Sequence, residues 1–377
     1  MAGRYTGAAA DPAQAVLLVR DLDGGLRGLG FVADRHGTVV TAHEVVAGLA
    51  RVVLHTPGGQ SRVLGAGSID LLPGQALALL RTDTVGGLPG PALPLAHGTG
   101  AHGGGPHEGG DLGGGPVVML QEAGERPRPG GVLGRCAAGY PWQDDFHPVA
   151  GALLIRPDRP GPVPPAGSPV LDADTGAVLA VVTPGLILRG GLGRPDLIAA
   201  APIRPGPDTA GPDTAGTSTA GGSTAGASAA GATTAGPLAE LLERNAAEVP
   251  AFGRALNLAG LLRLAAVQLG SATAGPGRIA DLAADRVDRP DGICGEEPRR
   301  PVTVLLGAPG TGRTTEIAAL AVRRSTGPNA LPTLWLRGAD LAPGDESLAA
   351  PVGRALARAA ALLGVPAPGP DPAAVLG

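Results

Sequence analysis

The sequence predicts a multidomain chain: an N-terminal all-β double barrel, a flexible Gly/Ala/Thr repeat linker, and a C-terminal α/β fragment built around a phosphate loop. Three observations predict it. Short β-rich apolar runs fill residues 14–203, five-residue repeats fill 207–236, and helical periodicity around a strand, glycine loop and helix follows. The expected divisions are a tail at 1–13, the β domain at 14–203, a linker at 204–236, a helical segment at 237–290 and the phosphate-loop module at 291–377.

In the β half, AVLLV (15–19), LGFVA (29–33), TVVTA (38–42), RVVLH (51–55), ALALL (76–80), GALLI (151–155) and AVLAVV (177–182) are short runs, most of them bounded by Gly, Pro or Asp turns. Many strands at that spacing suit two barrels. The linker parses as the pentads PDTAG, PDTAG, TSTAG, GSTAG, ASAAG and ATTAG. Such a repeat has no apolar face to offset its ordering entropy, so it reads as a tether. Beyond it, 238–249, 255–270 and 278–287 carry Leu, Ile and Val at three- and four-residue spacing. Strand 302–306, helix 314–324, strand 331–338 and helix 347–364 then alternate as in a parallel sheet.

The sharpest motif is PVTVLLGAPGTGRTT at 301–315. It fits G-x-x-x-x-G-K-[ST] at Gly307, Gly312 and Thr314, with Arg313 in the lysine position. Glycines, Gly310 among them, let backbone N–H groups turn toward phosphate, and the following helix points its positive end at the same anion. Arg313 would face the outer phosphates, the Thr314 hydroxyl would hold Mg²⁺, and Thr315 would lie near the α-phosphate. The expected cofactor is ATP or GTP with Mg²⁺. A guanidinium fork is not a point charge, so Arg313 re-aims that contact. All 29 basic residues are arginine and none is lysine, which points to a genome-wide drift of Lys to Arg.

Two N-terminal segments, GFVADRHGTVVTAHEVV (30–46) and AGSPVLDADTGAVLAVV (166–182), together with ALALLR (76–81), resemble the histidine, serine and aspartate segments of trypsin-like serine proteases of the HtrA type. They come in the family's order and cover about 14–203. The resemblance implies a double β-barrel with His43 at the catalytic histidine. It also places Ala76 at the orienting aspartate, Ala166 at the nucleophile and Pro164 at a glycine whose N–H would serve the oxyanion hole. A triad needs nucleophile, base and orienter, and proline has no N–H to give. The barrel is therefore expected to be inactive and to recognise a protein or peptide. The alternative is an active intracellular serine endopeptidase coupled to an NTPase, with Asp70 or Asp83 as the acid and Ser168 as the nucleophile after register shifts. The C-terminal part resembles the start of a STAND or AAA-like NTPase, as in actinobacterial signalling and conflict proteins. No apolar strand ending in Asp follows, because Arg337 and Gly338 interrupt the run before Asp340, so the module is expected to be incomplete here.

Composition narrows the classes. A net charge of −4 gives no electrostatic footprint for nucleic acid. Cys136 and Cys294 do not make a disulfide framework, no leader is recognisable, and no apolar run reaches the ~18 residues of a membrane span. The expectation is a cytoplasmic signalling protein with no nucleic-acid or membrane partner. His97, His102 and His107, with Glu108 and Asp111, read as a decorated loop rather than a metal site. Glu296, Glu297, Arg299 and Arg300 read as a solvated entry to the phosphate-loop strand, and Trp142 and Trp335 as core residues.

Overall fold

The computed structural model describes residues 11–86, 88, 90–96, 115–122, 125–188, 196–204, 236–270, 276–287, 303–326 and 330–369. The histidine-rich stretch 97–111, the pentad repeats, Cys294 and the charged residues 296–300 lie outside them.

The β half consists of two seven-stranded antiparallel sheets. The first contains β1 (Val16–Arg20), β2 (Leu26–Val32), β3 (Val39–Ala42), β4 (Arg51–His55), β5 (Ser61–Gly65), β6 (Ile69–Leu72) and β7 (Leu77–Leu80), in the order β5-β4-β1-β2-β3-β7-β6. The second contains β8 (Pro116–Met119), β9 (Arg128–Trp142), β10 (Asp145–Pro157), β11 (Pro169–Asp172), β12 (Val178–Val182), β13 (Ile187–Leu188) and β14 (Ile198–Pro202). Its order is β10-β14-β12-β11-β8-β9-β13, and a further β9–β10 pairing closes six of these strands into a ring. Closure removes the exposed edges that an open sheet would carry. Aromatics make up only 2% of the chain, so the interior is aliphatic. Val117, Met119, Leu153, Ile155, Val170, Val182 and Ile198 fill the closed ring. Leu17, Leu29, Phe31, Leu54, Leu64, Leu77 and Leu80 fill the first sheet.

The same core cluster runs on into Leu238, Leu241 and Leu242 of helix α2 (Pro237–Glu248), so this helix is packed on the first sheet. Proline at its first turn costs no hydrogen bond, and the i, i+3, i+4 leucines form the apolar stripe. One polar residue completes the seat. The buried Asn245 amide donates to the Ala33 carbonyl at 2.5 Å and the Leu93 carbonyl at 2.9 Å, and accepts from the Leu95 N–H at 2.9 Å. Arg244 adds an ion pair of 3.2 Å with Asp34, whose carboxylate also accepts from the Thr38 N–H and hydroxyl.

The remaining half is helical: α3 (Leu258–Gly270), α4 (Pro276–Ala284), α5 (Arg313–Ser325) and α6 (Ala349–Leu363). Leu261 and Leu264 of α3 meet Leu356, Ala359 and Ala360 of α6, while Ile279 of α4 meets Ala318 and Ala321 of α5. The parallel sheet expected here is not formed by the described residues. Segments 303–308 and 330–337 carry no ladder, and Val304 and Leu306 are 69% and 89% exposed. A parallel strand is stable only when both faces are covered. In this half the helical stripes pair with one another and leave segment 303–308 uncovered. At the second segment, the Gln268 side chain of α3 does what a neighbouring strand would do: its amide donates to the Trp335 carbonyl at 2.6 Å and accepts the Trp335 N–H at 3.0 Å.

Asn245→Ala leaves two carbonyls and one N–H without their partner, and should cost about 3 kcal/mol in urea unfolding of the β half. Arg244→Ala, which breaks a partly exposed pair, should cost under ~1 kcal/mol in the same assay.

Candidate functional site

His43 opens the single turn α1 (His43–Val46), directly after β3. Its backbone N–H donates to the Ala76 carbonyl at 3.0 Å, which ties the turn to the start of β7. The side chain is fully buried at the seam between the two sheets. Tyr140 and Trp142, on the last turn-side residues of β9, enclose it from the second sheet. Their rings stand edge-to-face to the imidazole, with centroids 5.2 Å and 4.4 Å away. His43 Nδ1 is 2.9 Å from the Tyr140 hydroxyl, and His43 Nε2 is buried without a hydrogen-bond partner among the described residues.

Residue 166 lies in a turn held from both sheets. The Ala166 carbonyl accepts from the Leu29 N–H at 2.8 Å, and the Gly167 N–H donates to Val182 at 2.9 Å. Gly167 has φ +87°, and a Cβ there would stand 1.8 Å from the Leu29 carbonyl oxygen, so only glycine fits. The structure thus brings the 43, 76 and 166 segments onto one pair of strands, β2 and β3, and their junction with β7. It supplies imidazole at 43 and methyl groups at 76 and 166.

The shifted candidates are engaged elsewhere. The buried Ser168 hydroxyl donates to the Pro165 carbonyl at 2.7 Å, and Asp70 pairs with Arg81 at 3.2 Å. Asp83 starts a short 3₁₀ turn after β7. Sequence reasoning missed Tyr140, the residue that does reach His43. The local signal was Tyr140-x-Trp142, two aromatics at strand spacing in a chain almost without aromatics.

Desolvation is the main cause that lowers the His43 pKa to about 4, with the positive charge of His147 adding to it. His147 faces Tyr140 across the β9–β10 ladder. Burial also raises the Glu44 carboxyl, opposed by a hydrogen bond from the Gly185 N–H. The Tyr140 phenol is pushed up to about 12 by burial and by Glu44. Beside this cluster, Val46, Leu49, Ile69, Leu71 and Trp142 line an apolar hollow of about 300 Å³.

The glycine-loop residues are contiguous at the N-terminal end of α5. Gly310 and Gly312 both have φ +81°, the left-handed region that glycine occupies without cost, and Gly312 is the residue before the helix. The Thr311 hydroxyl and N–H both donate to the Ala308 carbonyl, at 2.9 Å and 3.3 Å, closing the loop. Gly307 packs under the Thr311 hydroxyl, which a Cβ would approach to 2.6 Å. Arg313 and Thr314 are exposed, Thr315 is half-buried, and Glu316 in the same turn pairs with Arg286 at 2.8 Å. Asp340, the nearest acidic residue after the second segment, accepts from the Arg337 N–H and from Arg358. Among the described residues, no group of three His, Cys, Asp or Glu side chains is arranged to hold a metal, and no helix is long and apolar enough to cross a membrane.

No family model matches the chain, and no curated protein matches it. Among solved structures it is similar to the Rv3671c protease of M. tuberculosis in its active form, at 20% identity over 51% of this chain and 77% of that one, with a TM-score of 0.37. It is also similar to the HtrA-type protease AlgW with a tripeptide, at 18% identity, over 53% of this chain and 60% of that one, with a TM-score of 0.35. The MamO protease domain of Magnetospirillum magneticum matches at 19% identity, over 52% of this chain and 94% of that domain, with a TM-score of 0.34. At these identities and scores the likeness is one of chain course over about half the molecule, and says nothing of activity.

The buried imidazole carries a pH prediction with a definite sign. Its folded pKa of about 4 lies below the ordinary imidazole value of 6.5, so unfolding takes up a proton between them. Stability should be undiminished above pH 6.5 and fall as pH drops toward 4, by on the order of 3 kcal/mol from this group. His43→Gln should flatten the dependence in that window, measured by urea midpoints at closely spaced pH values.

Proposed function

We propose that this chain is an intracellular regulatory protein. Its β half would be a trypsin-like barrel that recognises a peptide or protein segment without cutting it, and its helical half would sense nucleotide through the 307–315 loop. The observation that carries the first part is the state of His43. Its Nδ1 is hydrogen-bonded to a phenol rather than a carboxylate, its Nε2 meets no hydroxyl among the described residues, and methyl groups stand at 76 and 166. Acyl transfer needs a nucleophile within hydrogen-bond reach of a base. Ser168, the nearest substitute in sequence, gives its proton to a carbonyl instead. The apolar hollow beside Trp142 would suit an apolar side chain of the recognised segment.

Support for the second part is the loop's backbone. Two left-handed glycines and a helix N-terminus of thirteen residues put N–H groups and a positive dipole end together in solvent. Arg313 would supply the cation for the outer phosphates of ATP or GTP, and Thr314 the hydroxyl for Mg²⁺. The exposed segment 303–308 would leave the nucleotide little enclosing wall, so binding should be modest and turnover slow.

Calorimetric titration of the full chain with Mg-ATP and Mg-GTP tests this reading. Binding with Kd below ~100 µM, weakened at least ~10-fold by Arg313→Ala, is the expected result. A folded chain that takes up neither nucleotide would overturn the nucleotide half of the proposal.

A further inference from the structure

The His43 site holds one contact that the missing triad residues do not account for. Tyr140 sits 2.9 Å from Nδ1, on the side of the ring that an orienting carboxylate serves in a hydrolytic triad. A carboxylate can only accept, so it forces the proton onto Nδ1 and leaves the Nε2 lone pair free to act as a base. A phenol can do the opposite, and which it does decides what His43 can be.

Two arrangements fit the distance. If the Tyr140 O–H donates, Nδ1 is the acceptor and the proton is on Nε2. If Nδ1–H donates, Nε2 is a bare lone pair, and the phenol proton then needs an acceptor of its own. Among the described residues Tyr140 makes no second hydrogen bond, so the second arrangement leaves both the phenol proton and Nε2 unpaired. The first leaves only the Nε2–H unpaired. Trp142 stands edge-to-face to the same imidazole, with centroids 4.4 Å apart and planes at 74°, an aromatic neighbour that accepts one unpaired N–H at less cost than two unpaired groups. Acid strength points the same way: a phenol O–H is the stronger acid, and an imidazole nitrogen the stronger base. Burial, with Glu44 adding to it, holds the phenol protonated well above neutrality, so the donor persists.

We infer that Tyr140 is a positioning residue that fixes His43 as the Nε2–H tautomer, the inverse of the one a general base facing residue 166 requires. The site is then disabled twice, once by the loss of the reacting groups and once by the proton's placement. The inference rests on the silent-barrel reading and deepens it. The two fail separately, because peptide turnover would sink that reading while the ring proton is observed directly.

The test is ¹⁵N NMR of the full-length chain at neutral pH, with His43 resolved from the other histidines of the seven in the sequence. The expected wild-type spectrum shows the His43 proton on Nε2 and Nδ1 as a hydrogen-bonded acceptor. In Tyr140→Phe the Nδ1 signal should move downfield, toward that of an acceptor with no donor, while a purely structural loss would leave it unmoved. A wild-type proton on Nδ1, or an Nδ1 signal unchanged in Tyr140→Phe, overturns the inference. Should that variant fail to fold, the wild-type tautomer still decides.

Discussion

The burial of one imidazole at the seam of two sheets is the constraint around which this molecule is arranged. His43 comes from the first sheet, and the rings that enclose it come from the second. A polar side chain buried this deeply stays neutral and needs a partner, and Tyr140 is the partner the fold provides. The rest of the seam follows from the same requirement. Leu29 pins the 166 turn to β2, Gly167 allows the close approach, and the Ala76 carbonyl anchors the turn that carries His43. A hydrolase would use this geometry for chemistry. Here the same backbone closes over an imidazole that packs like a core residue.

The fold of the β half was legible in the sequence because its signals are local. Seven apolar runs, most of them bounded by turn residues, mark seven of the strands, and GFVADRHGTVVTAHEVV places His43 in the turn directly after β3, where it lies. The long β9–β10 hairpin was less legible. Its strands carry Gly, Arg, Pro and His among the apolar residues, and their long half-exposed stretches show no clean alternation. Tyr140 escaped notice for a related reason: its contact with His43 spans 97 residues, and no local pattern encodes such a contact.

In the helical half, periodicity marks each α-helix of the described residues within a few residues, since each stripe of Leu and Ala is buried against another stripe. The strand assignments failed there. VTVLL reads as a buried strand, but burial is a tertiary property, and Leu306 stands in solvent. Gln268 shows what replaced the ladder at 335: one side-chain amide satisfies the backbone that a neighbouring strand would have paired. The helix after the glycine loop needed no such help, because its start is written by Gly312 and its apolar face by Ala318 and Ala321.

The central claim is that the barrel holds a histidine without a nucleophile to activate. The most direct measurement is exposure of the full chain to a serine-reactive fluorophosphonate at pH 8, with intact-mass and peptide-level mass spectrometry. No adduct is expected above that of a heat-unfolded control, since the Ser168 hydroxyl is buried and donates to the Pro165 carbonyl. A stoichiometric adduct on Ser168, abolished by His43→Gln, would contradict it and make this chain an active serine hydrolase.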